Sequence, residues 1–297
     1  ISSVLLGSQP ISKAATDPSA YDVMIASPVH RTLTRLVSTV QPVAELLKSN
    51  GPFTFFPPTD AAFVKLNSTD PATFNAVTTD SDLLSRVLQY HVVPGEVIEV
   101  ERPLYRFYTT AMGGVLNVDI TASKKSVAAG LDGSPRIINT APTNNGVIQI
   151  LDTVLIPPIS ATKTATKAIL TSFVSNVEKQ NLTETVDSLT NVTIFAPNNK
   201  AFTDFGSFLS SKGISLTNSM LQYELRLHIV PGILYTTDLL NMTTARNFRT
   251  IANDTISIRS TGGKIFINGT GNIDFAQVLL ADVVHTGGVL HSTNNLI

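Results

Sequence analysis

The chain contains no cysteine. Thiol nucleophiles, Cys-based zinc sites and disulfides are therefore all excluded, while secretion is neither required nor forbidden. Charge is also scarce: acidic and basic residues make up 14% of the 297 positions and balance to a formal −1. There is no Lys/Arg run to build a concentrated cationic face, so the reading carries no nucleic-acid partner. No stretch of apolar residues is long enough to read as a membrane-spanning helix. Nor does a basic segment followed by an apolar one stand at Ile1, which fits a processed or trimmed N-terminus. What is present is apolar (43%) and rich in Ser and Thr, a composition ordinary for a secreted surface protein.

The length accommodates about two domains of roughly 150 residues, and the sequence repeats itself on that scale. Phe55-Phe56-Pro57-Pro58-Thr59-Asp60-Ala61-Ala62-Phe63 is answered by Ile194-Phe195-Ala196-Pro197-Asn198-Asn199-Lys200-Ala201-Phe202. His91-Val92-Val93-Pro94-Gly95 is answered by His228-Ile229-Val230-Pro231-Gly232, and Asn145-Gly146-Val147-Ile148 by Gly287-Gly288-Val289-Leu290. Three landmarks recurring in order at about 140 positions make this a tandem duplication, with domains over residues 1–158 and 159–297. The second copy reads as cut short after Ile297. Pro157 to Thr164 reads as a short, stiff polar linker, which leaves an interdomain groove as a candidate binding surface.

Each copy opens with helices, since Leu33, Leu36, Val37 and Val40 keep a helical stripe that Leu170, Phe173, Val174 and Val177 repeat. Phe53 to Phe56 and Val192 to Phe195 read as buried strands stopped by proline. Thr59 and Asn198 then cap short helices, and a second helix follows with Leu83, Leu84, Val87 and Leu88, or Met220, Leu221 and Leu225, on its buried side. The remainder is strand-like, with Ile256, Ile258, Ile265 and Ile267 alternating across a Thr261-Gly262-Gly263 turn. Helices first and strands later define an α+β class.

No catalytic constellation emerges. There is no Gly-X-Ser-X-Gly turn, Gly262-Gly263-Lys264 lacks the flanks of a phosphate loop, and Gly269-Thr270-Gly271 stops short of a dinucleotide fingerprint. His285 and His291 have no third ligand at metal spacing, so no metal and no cofactor is assigned. Tyr90 and His91 sit at a helix end, where an imidazole can bond a freed carbonyl or meet a ligand. Aligning Phe107 with Phe248 marks the Tyr105 and Phe107 face of that strand as buried and leaves Arg106 and Tyr108 outside, residue types that dominate interfaces. Glu224 stands four residues before His228, where the first copy has Val87, either as an exposed helix contact or as the polar edge of a pocket.

The ordered motifs resemble the fasciclin (FAS1) domain twice over: Phe56 to Phe63, Tyr90-His91-Val92-Val93-Pro94-Gly95 and Asn145 to Leu155 in the first copy, Phe195 to Phe202, His228 to Gly232 and Gly288-Val289-Leu290-His291 in the second. The resemblance implies a wedge-shaped β-sandwich flanked by helices in each copy. It also implies extracellular adhesion or matrix association without catalysis, a cell-wall or cell-surface protein or glycan as partner, and a lipid anchor beyond Ile297. Tyr90-His91 becomes Leu227-His228, so a role attached to that pair carries to the first copy only. Gln149 is replaced by His291 and Thr140 by Asp282, which reads as divergence in surface chemistry over one retained core. A fungal style of sequence brings an alternative, an accessory or unconventional enzyme beside a secreted laccase-type oxidase coupling aromatic metabolites, with Glu224, His228 and His285 as the polar groups of the groove.

Asn-X-Ser/Thr acceptor sites stand at Asn67, Asn181, Asn191, Asn241, Asn253 and Asn268. Only Asn67 belongs to the first copy. Enzymatic deglycosylation of the secreted protein followed by peptide mass spectrometry is expected to find the glycan concentrated between residues 181 and 268; an unmodified second copy contradicts this.

Overall fold

The two helical stripes are buried as their spacing requires. In a computed structural model describing residues 17–128, 131, 135–269 and 275–297, Leu33, Leu36, Val37 and Val40 are core, as are Leu170, Phe173, Val174 and Val177. Ile1, Thr270 and Gly271 lie outside the described residues. The chain divides into two compact units between Pro157 and Pro158.

In the first unit, helices α1 (Ala20–Ala26), α2 (Arg31–Ser38) and α3 (Gln41–Lys48) precede strand β1 (Phe53–Phe55). Helices α4 (Asp60–Thr69), α5 (Pro71–Thr79) and α6 (Ser81–Tyr90) follow, then strands β2 (Val92–Pro94), β3 (Leu104–Thr109), β4 (Val115–Ile120), β5 (Lys125–Ala128), β6 (Ile137–Thr143) and β7 (Gly146–Leu151). The strands form a four-stranded sheet ordered β2-β1-β7-β6 and a three-stranded sheet ordered β3-β4-β5. Phe53 and Phe55 pack among the helices with Val37, Leu47 and Leu88, whereas Phe56 belongs to a second core with Tyr90, Tyr108, Leu116 and Val118. Burial on both sides is why the phenylalanines of this segment do not simply alternate with exposed polar residues, and the one polar residue among them, Thr54, is itself buried.

The second unit repeats the plan: α7 (Ala161–Lys167), α8 (Thr171–Lys179), α9 (Thr183–Ser188), β8 (Val192–Pro197), α10 (Asn199–Ser211), α11 (Asn218–Leu227), β9 (Ile229–Pro231) and the short α12 (Thr236–Leu239). Strands β10 (Arg246–Arg249), β11 (Thr255–Thr261), β12 (Lys264–Gly269), β13 (Ala276–His285) and β14 (Gly288–Thr293) complete it. Here one sheet of seven strands runs β10-β11-β12-β13-β14-β8-β9. Residues 161–164, expected in the linker, are instead the first turn of α7, and Ala161, Thr162 and Thr164 are buried. Ile256, Ile258, Ile265 and Ile267 are all buried across the β11–β12 hairpin, whose turn places Gly262 and Gly263 at φ of 57° and 72°. Two successive positive φ angles suit the right-handed twist of the strands and favour glycine.

The landmarks have distinct physical jobs. Thr59 caps its own helix by accepting from the Ala62 N–H at 3.2 Å, while Asp60 turns outward and accepts from the Thr32 N–H at 2.7 Å, capping α2. Asn198 and Asn199 divide the same labour, accepting from the N–H groups of Ala201 (2.8 Å) and Ser172 (2.9 Å). Thr54 donates its hydroxyl to the Glu96 carbonyl and accepts from the Ile98 N–H; Thr193 does likewise with Gly232 and Leu234. Asn145 donates to the carbonyls of Leu47 (2.9 Å) and Ser49 (2.8 Å) and accepts from the Ala20 N–H (2.9 Å), so one side chain ties α1 and α3 to the β6–β7 turn.

Gly146 and Gly288 begin the parallel pairings β7 with β1 and β14 with β8. A Cβ at Gly146 would lie 2.0 Å from the Phe53 carbonyl oxygen, and one at Gly288 would lie 1.9 Å from that of Val192. Because the obstacle is backbone, Gly146→Ala must displace a central strand. It is expected to lower stability by about 2–3 kcal/mol, read as a lower urea midpoint, and an unchanged midpoint contradicts the close-approach account.

Candidate functional site

Tyr90 and His91 close helix α6, and both are fully buried. The Tyr90 hydroxyl donates to the Val115 carbonyl at 2.6 Å. The His91 ring joins the carbonyl of Val87 (Nδ1, 2.7 Å) to the backbone N–H of Leu155 (Nε2, 3.0 Å). A carbonyl only accepts and an amide N–H only donates, so the ring is neutral with its proton on Nδ1. His228 repeats the arrangement at the end of α11, with the Glu224 carbonyl at 2.8 Å and the Ile297 N–H at 3.0 Å. Burial lowers both imidazoles to about 4, against the smaller upward pull of the helix carbonyl. Of the two readings of this helix end, the geometry is that of an imidazole bonded to a freed carbonyl; a ligand-binding surface at Tyr90 and His91 does not follow from it, because every polar side-chain atom of the pair is turned inward and bonded to the backbone.

Of the residue swaps between the copies, Gln149 against His291 lies inside, and Thr140 against Asp282 is half-buried beside it. Gln149 and His291 are both 0% exposed. Gln149 Nε2 donates to the Ile98 carbonyl at 2.9 Å, and its Oε1 accepts from the Thr140 hydroxyl at 2.6 Å. His291 Nε2 donates to the Leu234 carbonyl at 2.8 Å and its Nδ1 accepts from the Asp282 N–H at 3.2 Å, with the ring stacked on Phe195. Asp282 in turn accepts from the N–H and hydroxyl of Thr236. The divergence expected at the surface is therefore a paired exchange centred on a buried position. His285 is likewise buried; its Nδ1 accepts from the Gly287 N–H at 3.1 Å, and burial lowers its imidazole to about 4. Among the described residues, no three His, Asp or Glu side chains are grouped to hold a metal ion.

On β3 the expected burial is exchanged between Tyr105 and Tyr108, while Phe107 is half-buried and Arg106 is exposed as expected. Tyr108 is buried and packs with Leu116 and Val118, whereas Tyr105 is 42% exposed and meets Phe107 edge to face at 5.7 Å. Register explains the exchange: Tyr108 pairs with Leu116 as Phe248 pairs with Ile256, so Phe248 answers Tyr108 and not Phe107. A slip of one residue turns every side chain to the other face. Arg106 remains exposed, forked onto Glu96 at 3.0 and 3.2 Å, with its guanidinium 4.9 Å from the centre of the Tyr108 ring.

The sequence profile of the fasciclin domain matches residues 28–157 and 168–297. The chain belongs to the fasciclin family. It is 25% identical over 236 residues to a fasciclin-like arabinogalactan protein of Arthroderma benhamiae, a match covering 75% of this chain and 53% of that one. It is 30% identical over 135 residues to the cell surface glycolipoprotein MPB83 of Mycobacterium bovis, covering 44% of this chain and 57% of the relative. A solved FAS1 domain pair from the insect cell adhesion molecule fasciclin I aligns with 90% of this chain and 96% of its own at 18% identity and a TM-score of 0.44. Among the described residues, no helix is long and apolar enough to cross a membrane.

The second fasciclin unit carries a cavity beside helix α11. Glu224, Ser219, Phe205, Leu216, Met220 and Tyr223 line a cavity of about 440 Å³. Met220, expected in the core, is exposed there, and burial raises the Glu224 carboxyl to about 7. The side chain is thus the pocket edge, and His228 bonds its carbonyl and not its carboxylate. Of the acceptor asparagines, Asn67, Asn181, Asn191, Asn241 and Asn253 are exposed and Asn268 is half-buried.

The three imidazoles held near 4, those of His91, His228 and His285, titrate at about 6.5 in an unfolded chain. Their contribution to stability is fully present above about pH 6.5 and declines as pH falls toward 4, by at most about 1.4 kcal/mol per pH unit for each. Glu224 acts in the opposite sense: its contribution is present below the ordinary value of 4.5 and lost as pH rises through about 7. Urea midpoints are expected to fall between pH 6.5 and 4.5, and Glu224→Gln is expected to raise the midpoint near pH 8 but not near pH 4.5. A flat acid profile contradicts the neutral staples.

Proposed function

We propose that this protein is a secreted, glycosylated cell-surface module that mediates adhesion or protein–protein contact without catalysis, through the outer face of β3 in its first unit. The observation that carries the reading is a contrast between the units. The core-facing aromatic of this strand is kept, as Tyr108 and Phe248, yet the outward positions Tyr105 and Phe107 are answered in the second unit by Ala245 and Asn247. The scaffold does not require the aromatic pair. An aromatic pair turned out of the core, Tyr105 exposed and Phe107 half-buried, supplies rigid contact area of the kind that dominates interfaces. The unit also bears a single acceptor asparagine, Asn67, which leaves more of its protein surface uncovered. The partner class is a cell-wall or cell-surface protein or glycan.

The non-catalytic part of the proposal draws on His91, His228 and His291, whose ring nitrogens are all taken up by backbone groups. A second reading, service to a secreted laccase-type oxidase, has the Glu224 cavity in its favour. Burial of His228 and His285 leaves it that carboxyl alone among the polar groups first considered. Altered product selectivity when the protein is added to a coupling assay would favour this second reading.

The double variant Tyr105→Ala with Phe107→Asn copies the second unit on the first. It is expected to reduce binding to isolated cell walls by about tenfold or more while leaving the melting temperature unchanged. Binding within about twofold of the wild type rejects this surface.

A further inference from the structure

The cavity over Glu224 exists because the two units spend the same stretch of chain differently. In the first unit the chain between the caps Thr59 and Asp80 folds as α4 and α5. α5 places Val77 in the core and packs Phe74 against the cluster that contains Val87. In the second unit the chain between the caps Asn198 and Thr217 forms the single longer α10 and an irregular return over residues 212–217. No helix takes the place of α5 there, and Leu216, Met220 and Tyr223 are left 42%, 42% and 44% exposed.

The position beneath this opening has changed character as well. Val87 is buried in the first unit, and its counterpart Glu224 is half-buried at the wall of the cavity. Among the described residues, its carboxyl has no hydrogen-bond or ion-pair partner. A carboxyl withdrawn from water beside apolar groups is unfavourable unless something of complementary charge joins it. Tyr223, which also lines the cavity, is held in place by donating its hydroxyl to Asp254 at 2.5 Å. The rings of Phe205 and Tyr223 present faces that attract cations. The volume of about 440 Å³ falls within the range of small-molecule sites.

We propose that this cavity binds a small organic amine, its aromatic or alkyl body lying among Phe205, Leu216, Met220 and Tyr223 and its ammonium group paired with the Glu224 carboxylate. Charge selects the class: an anion of the same shape meets the Glu224 carboxylate, and a neutral isostere leaves that carboxylate unpaired. The site is independent of the β3 surface, so its failure and that of the adhesion proposal are separately visible.

The test is calorimetric titration of the full chain near pH 8 with 2-naphthylmethylamine, 2-naphthylmethanol and 2-naphthoate. The amine is expected to bind at least about tenfold more tightly than the alcohol, and the naphthoate most weakly. Glu224→Gln is expected to erase the preference for the amine while the alcohol binds as before. Glu224→Val, which copies the first unit, should do the same, and Ser219→Trp should fill the cavity and abolish binding of all three. Equal affinity for amine and alcohol, a preference that survives both Glu224 variants, or no heat from any probe overturns the proposal.

Discussion

One buried ring holds each unit together. A neutral imidazole, donor at one nitrogen and acceptor at the other, spans from the last turn of a helix to the segment that leaves the final strand of the sheet. His91 does this between Val87 and Leu155, and His228 between Glu224 and Ile297. The backbone of the same residue completes the junction, since the carbonyls of His91 and His228 accept from the N–H groups of Phe56 and Phe195 at 2.8 Å. Helix end, central strand and sheet exit therefore meet at a single side chain. No other residue type offers a donor and an acceptor on opposite edges of a small rigid ring, and protonation would convert the acceptor into a donor facing an N–H group.

The remaining polar interior follows from that arrangement. Thr54 and Thr193 organise the loop that continues past the imidazole, and Gln149 or His291 closes it by donating to the same loop carbonyl, that of Ile98 or Leu234. These pairs form a natural substitution series within one chain. Amide and imidazole perform one geometric task with different acid–base chemistry, and the partner changes with them, from the hydroxyl of Thr140 to the backbone N–H of Asp282. A buried donor and acceptor can be exchanged as a set but not singly, because an orphaned group is costly.

Much of this was legible in the sequence because the duplication doubles each signal. The helical stripes, the proline-stopped strands, the Thr59 and Asn198 caps and the glycine hairpin all occupy the environments that spacing and residue type implied. The failures share a physical cause. Period-two reasoning on β3 depended on an alignment correct to one residue, and Phe248 was matched one position from its true counterpart, Tyr108. Tyr90 and His91 stand at a helix end that spacing leaves open between interior and surface, because the partner Leu155 is distant in sequence and only the fold brings it near. Met220 stands beside Leu221 and Leu225, which are buried, yet is itself left exposed because the chain that could have covered it extends α10 instead. At Glu224 the exchange against Val87 marks the position but leaves an exposed helix contact and a pocket edge both open, and only the fold places the side chain at the cavity wall.

The parallel pairing of the first strand with the last has a consequence for synthesis. β1 lies between β2 and β7, and β8 between β9 and β14, so neither sheet can close its centre until nearly the whole unit has been made. Such pairing joins distant residues and folds slowly for that reason. On the ribosome the first helices and Phe53 to Phe56 emerge long before Gly146 to Leu155 supply their neighbour and the donor for His91. Each unit must therefore hold an apolar strand without its last neighbour through most of its own translation, and the chain meets that demand twice in succession.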